Sequence, residues 1–156
     1  MEIILAAALL PAIILMVYVY KHDKIEKEPF VLLLTLFAFG ALSCVPAGIL
    51  EDLFSEVLDS MNIQDNQTYY IIMCFGIVAC SEEGAKLFFL KSKTWRCPDF
   101  NYTFDGLLYS VCVGLGFAGL ENIMYVMDYG FGVVISRGLL SVPGHCTFAI
   151  FMGLFY

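Results

Sequence analysis

The stretch "YYIIMCFGIVACSEEGAKLFFL", residues 69–90, is long and apolar, yet it holds Glu82, Glu83 and Lys86. As a helix its 22 residues rise about 33 Å, enough to cross a hydrocarbon core of roughly 30 Å. An ionised side chain at the centre of such a helix costs about 2.5–3.5 kcal/mol, whereas each Leu, Ile or Phe returns about 0.3–0.6. Three charges therefore cost as much as the large apolar residues recover, unless they satisfy one another. Lys86 lies three residues from Glu83 and four from Glu82, within reach of both on a helix surface. Burial and a like-charged neighbour also let the second glutamate keep its proton.

Four further runs frame this one, at about 3–20, 30–50, 106–128 and 131–156. Hydrophobic residues make up 60% of the 156-residue chain and charged residues 15%, with a mean hydropathy of +0.82. A soluble domain of this size could not bury that much apolar surface, so its solvent is lipid. The runs do not alternate as barrel strands would, and backbone groups in lipid must be paired internally. The expected architecture is an all-α, polytopic helical bundle, a single domain over 1–156 with about five transmembrane helices. The first run has no basic n-region and starts with Glu2, so it reads as an anchor rather than a cleaved signal.

Basic residues set the expected orientation. Lys21, Lys24 and Lys27 separate the first two runs, and Lys91, Lys93 and Arg96 separate the third from the fourth. Segment 51–68 has five acids and no Lys or Arg. The positive-inside rule places the N-terminus outside and the C-terminus in the cytoplasm. Leu53, Phe54, Val57, Leu58 and Met61 recur at helical spacing, which suggests a short amphipathic helix on the outer face or a solvated connector. A net charge of −7 argues against nucleic acid as a partner. His22, beside Asp23, reads as a solvated loop residue. The six cysteines form no CxxC pair and read as packing residues. "GLGFAG", residues 114–119, matches a dinucleotide fingerprint but lacks the preceding strand that the fingerprint needs; its glycines, with Gly106, predict close helix–helix approach.

Polar groups recur in the next two runs. The fourth carries Glu121 and Asn122, and the fifth carries Arg137 and, after a Pro143–Gly144 break, His145. In the expected topology Glu82, Glu121 and His145 fall within roughly 10 Å of one another in depth. Asn122 alone reads as an interhelical hydrogen bond, and Arg137 either turns inward or snorkels outward. Intramembrane ionisable residues mark functional sites, facing a bundle interior or a wet cavity. Two chemistries suit carboxylates with one imidazole. One is peptide hydrolysis, with a glutamate taking a proton from water and Asn, Arg or His holding the oxyanion. The other is a proton or cation pathway, and a non-catalytic scaffold is the third reading. No HExxH or GxSG pattern is present. No cofactor is required, although a zinc site of two glutamates and His145 is conceivable.

"EEGAK" at 82–86 resembles an EExxK motif and "FAGLEN" at 117–122 an FxxxEN motif, followed by "RGLLSVPGHCTFAIFMG" at 137–153. In order and placement, over 69–156, these resemble PrsW, a family of bacterial intramembrane proteases related to CAAX prenyl proteases and bacteriocin-processing enzymes. The resemblance implies a multi-pass protein of the bacterial plasma membrane, a site-1 protease cutting a single-pass anti-sigma factor in a stress response. It implies catalytic roles for Glu82, Glu83, Glu121 and His145 on helices 69–90, 106–128 and 131–156. Glu82 would be the base and Glu83 with Lys86 would fix charge and orientation, or the two glutamates exchange roles. Asn122 and Arg137 would support them, and a metal, if present, would sit on Glu82, Glu121 and His145. It also implies a further C-terminal membrane segment, with an HxxxD motif, beyond Tyr156.

Overall fold

A computed structural model describes residues 2–22 and 27–156. Lys24 and Asp23 lie outside the described residues. These fold as helices joined by short links, with no strand among the described residues. The elements are α1 (Glu2–His22), α2 (Phe30–Ser60), α3 (Asn66–Ile71), α4 (Ala79–Thr94), α5 (Thr103–Tyr129), α6 (Val133–Ser136) and α7 (Val142–Leu154). A π-helical stretch, Ile72–Val78, joins α3 to α4, and another, Arg137–Ser141, joins α6 to α7.

Among the described residues, four helical segments are long and apolar enough to cross a membrane: Leu5–His22, Phe30–Ser60, Thr103–Tyr129 and Val133–Leu154. The expected third crossing is also helical, from Asn66 to Thr94. Its charged triad makes it less apolar than the other four. Large apolar side chains such as Val31, Ile49, Phe75, Phe88 and Leu140 point away from the bundle. On a soluble protein this would be an anomalous patch; here it is the surface that lipid wets. The chain is an all-α, multi-pass membrane protein.

Helix α5 is the axis. From Asp105 to Gly119 nearly every residue is buried, so the helix is enclosed on all sides. Its start is fixed by Asp105, whose Oδ2 accepts from the backbone N–H of Tyr102 at 2.7 Å and of Asn101 at 2.9 Å. The buried Tyr109 donates to buried Glu28, tying the entry of α2 to this axis. At the other end Tyr69 donates to Asp59 at 2.7 Å across the α2–α3 link. There Asp65 caps α3, and its hydrogen bonds from Thr68 hold its carboxyl below the usual aspartate range.

Glycines set the helix separations, as their clustering predicts. A Cβ at Gly116 would lie 1.9 Å from the Phe37 carbonyl oxygen, and one at Gly40 would lie 1.9 Å from that of Val113. Helices α2 and α5 thus run in parallel with backbone against backbone, a contact only glycine allows. On the opposite side, a Cβ at Gly114 would meet the Ala149 Cβ at 2.7 Å and the His145 carbonyl at 3.2 Å. That approach draws α7 onto α5, antiparallel to it.

Two expectations need correction. Residues 51–60 are not a separate surface helix but the continuation of α2, which runs unbroken to Ser60 with Pro46 inside it. Of the apolar positions expected on one face there, only Leu58 is buried. The Pro143–Gly144 pair does not break the last helix either. Proline lacks an N–H and its ring crowds the carbonyl four residues back. The wider turn at Arg137–Ser141 precedes it and accommodates both effects.

Gly116→Ala is expected to lower the unfolding temperature of the detergent-solubilised protein, by an overpacking cost of about 1–3 kcal/mol. Gly48→Ala on α2, with nothing within 4 Å of the added methyl, serves as the comparison and should leave stability unchanged or slightly raised. Equal melting temperatures for Gly116→Ala and the parent would refute the close-contact account.

Candidate active site

Residues at i and i+3 or i+4 share a helix face. On α4 this puts Glu82, Glu83 and Lys86 on the side that meets α5 and α7. Lys86 is 1% exposed, and its Nζ donates to Glu83 Oε1 at 2.7 Å and to Glu82 Oε2 at 3.0 Å. The same ammonium lies 3.1 Å from His145 Nδ1 on α7 and 3.9 Å from the ring centre of Phe117 on α5. A buried ammonium survives only with such partners.

His145 links this group to a second one. Its Nε2 is 3.0 Å from Glu121 Oε2, while its Nδ1 is 3.6 Å from Glu82 Oε2. Because Nδ1 faces the ammonium, an all-donor group, the pattern assigns Nδ1 as acceptor and Nε2–H as donor to Glu121. Glu121 in turn accepts from Arg137 Nη2 at 2.5 Å. Arg137 also donates from Nε to Asn122 Oδ1 at 2.8 Å and from Nη2 to Ser141 at 3.0 Å, and its guanidinium stacks 3.7 Å over Tyr125. Of the two sequence readings of Arg137, the inward one holds. Asn122, 2% exposed, donates to the Ala8 carbonyl on α1 at 3.3 Å, so it is an interhelical bond as well as a partner of Arg137.

All seven residues singled out in the sequence thus join one hydrogen-bonded chain across α4, α5, the Arg137–Ser141 stretch and α7. Both π-helical stretches adjoin it. Ile72–Val78 ends four residues before Glu82; Arg137–Ser141 contains Arg137 and ends four before His145. Such insertions rotate the register of the helix beyond them and recur at functional sites. Glu83 is the outlet. At 29% side-chain exposure, against 13% for Glu82, it borders a cavity of about 480 Å³ between α4 and α7. Leu87, Phe148, Phe151 and Met152 form its greasy walls.

One acidic residue was missed. Cys44 and Ala47 on α2 pack with Ala85 and Phe117, one turn from the site. Glu51 follows at i+7 and i+4 on the same face. It is half-buried. Its sequence neighbours Asp52 and Glu56 point outward, so nothing in the acidic run itself sets Glu51 apart.

The family model described as "PrsW family intramembrane metalloprotease" matches residues 28–156. The chain belongs to this family. PrsW relatives of bacterial origin align over nearly its whole length. Protease PrsW of Geobacillus kaustophilus is 30% identical, covering 98% of this chain and 65% of the relative. Protease PrsW of Oceanobacillus iheyensis is 32% identical, covering 97% and 67%. Protease PrsW of Bacillus subtilis is 30% identical, covering 97% and 66%. The chain therefore spans about two thirds of the length of these PrsW proteins. No solved structure matches it. Membership and the apolar helices make this a multi-pass bacterial membrane protein.

A metalloprotease family raises the question of donors. Ligand atoms of Glu82, Glu83 and His145 lie within 4.8 Å of one another, a group that could hold a metal ion. This differs from the expected trio of Glu82, Glu121 and His145. Glu121 lies at the other ring nitrogen of His145, where it can orient the imidazole. Two carboxylates and an imidazole suit zinc, and a carboxylate on the outer nitrogen of a ligating histidine is its usual support. The donor chemistry fits.

Arg137→Ala leaves Glu121 without its guanidinium and is expected to destabilise the protein by roughly 3 kcal/mol, read as a lowered thermal midpoint. Arg137→Lys should recover little of it, since one ammonium cannot serve Glu121, Asn122 and the Tyr125 ring as a planar fork does. Full recovery by lysine would mean that charge alone matters there.

Proposed function

We propose that this chain carries the active site of an intramembrane protease that hydrolyses a peptide bond of a single-pass membrane protein, an anti-sigma factor by the family resemblance. The observation that carries this reading is the convergence of Glu82, Glu83, Glu121 and His145 from three helices at one level of the bundle, beside an apolar cavity. A helix unwinding in that cavity would bring its backbone to the carboxylates. Water reaching the site from the cavity meets Glu83 first, and Glu82 lies behind it on the same ammonium. One of the two takes the proton from water, and the exposure of Glu83 favours Glu83 in that role. Lys86 is the donor nearest the pair and would face a developing oxyanion. Glu121, held by Arg137, fixes the tautomer and tilt of His145. With a zinc ion held by Glu82, Glu83 and His145 instead, the metal rather than Lys86 would polarise the scissile carbonyl and would make bound water acidic.

The same chain of groups speaks against a through-membrane proton pathway. It runs from Glu83 to Arg137, and a guanidinium does not give up its proton, so a relay would stop there. A scaffold role would tolerate replacement of the glutamates.

Glu82→Gln and Glu83→Gln are each expected to abolish cleavage of a tagged single-pass anti-sigma factor co-expressed in cells, at matched membrane levels and unchanged helical content. Cleavage persisting in both variants would sink the proposal.

A further inference from the structure

The three donors that could hold a metal already hold a cation. Lys86 Nζ lies 3.0 Å from Glu82 Oε2, 2.7 Å from Glu83 Oε1 and 3.1 Å from His145 Nδ1. These are the same three residues whose ligand atoms cluster within 4.8 Å. A zinc ion held by them would draw the donors to roughly 2.0–2.2 Å and would leave no room among them for the ammonium. Two cations cannot share so small a cage at low dielectric, since each raises the cost of the other.

We propose that Lys86 is the resident counter-ion of the metal-donor set, so that its ammonium and a divalent metal are alternative occupants of one site and metal binding displaces the lysine side chain. This rests on the metal reading of the protease given above. The nearest open space to the displaced ammonium is the cavity that its partner Glu83 borders. The role also accounts for a lysine at this position rather than an arginine. A compact ammonium fits where a single ion would sit; a planar guanidinium does not. Empty of metal, the two carboxylates stay compensated in lipid, so the chain can insert and fold before it is loaded.

The test is zinc affinity, measured by chelator competition on the detergent-solubilised chain. The signal is the zinc binding that is lost on Glu82→Gln/Glu83→Gln. Lys86→Met is expected to bind zinc at least tenfold more tightly than the parent. Equal or weaker binding by Lys86→Met overturns the competition while leaving the metal site standing. Absence of glutamate-dependent binding in both proteins overturns the metal reading and this inference with it. Should Lys86→Met not fold, the parent protein decides the matter by amine labelling read by mass spectrometry. Zinc should raise labelling of buried Lys86 several-fold and leave exposed Lys91 and Lys93 unchanged; unchanged labelling of Lys86 overturns the proposal.

Discussion

The ammonium of Lys86 is the point on which the structure turns. It is enclosed by two carboxylates, an imidazole and an aromatic face, at a place where water cannot solvate an ion. Each partner comes from a different constraint. The glutamates come from helical spacing on α4 and need no tertiary structure to reach the lysine. Phe117 and His145 need α5 and α7 at close range. The small residues of α5 provide that range, because Gly114 lets α7 approach until the His145 carbonyl is 3.2 Å from where a Cβ would be. Tight packing and site assembly are therefore one requirement. A bulkier α5 would push α7 outward and leave the lysine and Glu121 each short of a partner.

Much of this is legible in the chain because lipid is an unforgiving solvent. Apolar length alone identifies α1, α2 and α5, and ionisable residues stand out in such runs as they would not on a soluble surface. Depth, counted at about 1.5 Å per residue, is enough to bring Glu82, Glu121 and His145 to one level. Rotation about each helix axis is not legible. Two π-helical stretches turn the facing of α4 and α7, and no periodicity rule announces a π turn. The sequence therefore groups Glu121 with Glu82 and His145 by depth, whereas the structure sets Glu121 on the far nitrogen of the ring from Glu82 and Glu83. The end of α2 is hidden for a related reason. Acidic residues usually mark where a helix leaves the membrane, but here Glu51 stays on the packed face while Asp52 and Glu56 turn out.

The seven residues divide into two halves that behave differently. Arg137, Glu121 and Asn122 form a scaffold whose charge is permanent: a guanidinium stays protonated, its acceptor is an adjacent carboxylate, and the amide is anchored to the Ala8 carbonyl on α1. Glu82, Glu83 and Lys86 all sit within two turns of one helix, and one of them opens to the cavity. His145 is the only residue of the seven touching both halves, with a different nitrogen for each. The scaffold half thus dictates what the other half meets: by accepting from Nε2–H, Glu121 turns the lone pair of Nδ1 toward the Lys86 ammonium. That asymmetry gives the proposed chemistry a direction. Whatever is exchanged at the site, be it water, substrate or cation, enters on the α4 side next to Glu83. The α5 side holds the imidazole still, with Arg137 and Glu121 keeping the ring from rotating when the occupant changes. An imidazole free to flip would meet an incoming cation with N–H as often as with a lone pair, and the donor set would be intact in composition yet wrong in geometry. The cost of keeping a second buried ion pair in lipid is therefore the cost of a fixed tautomer.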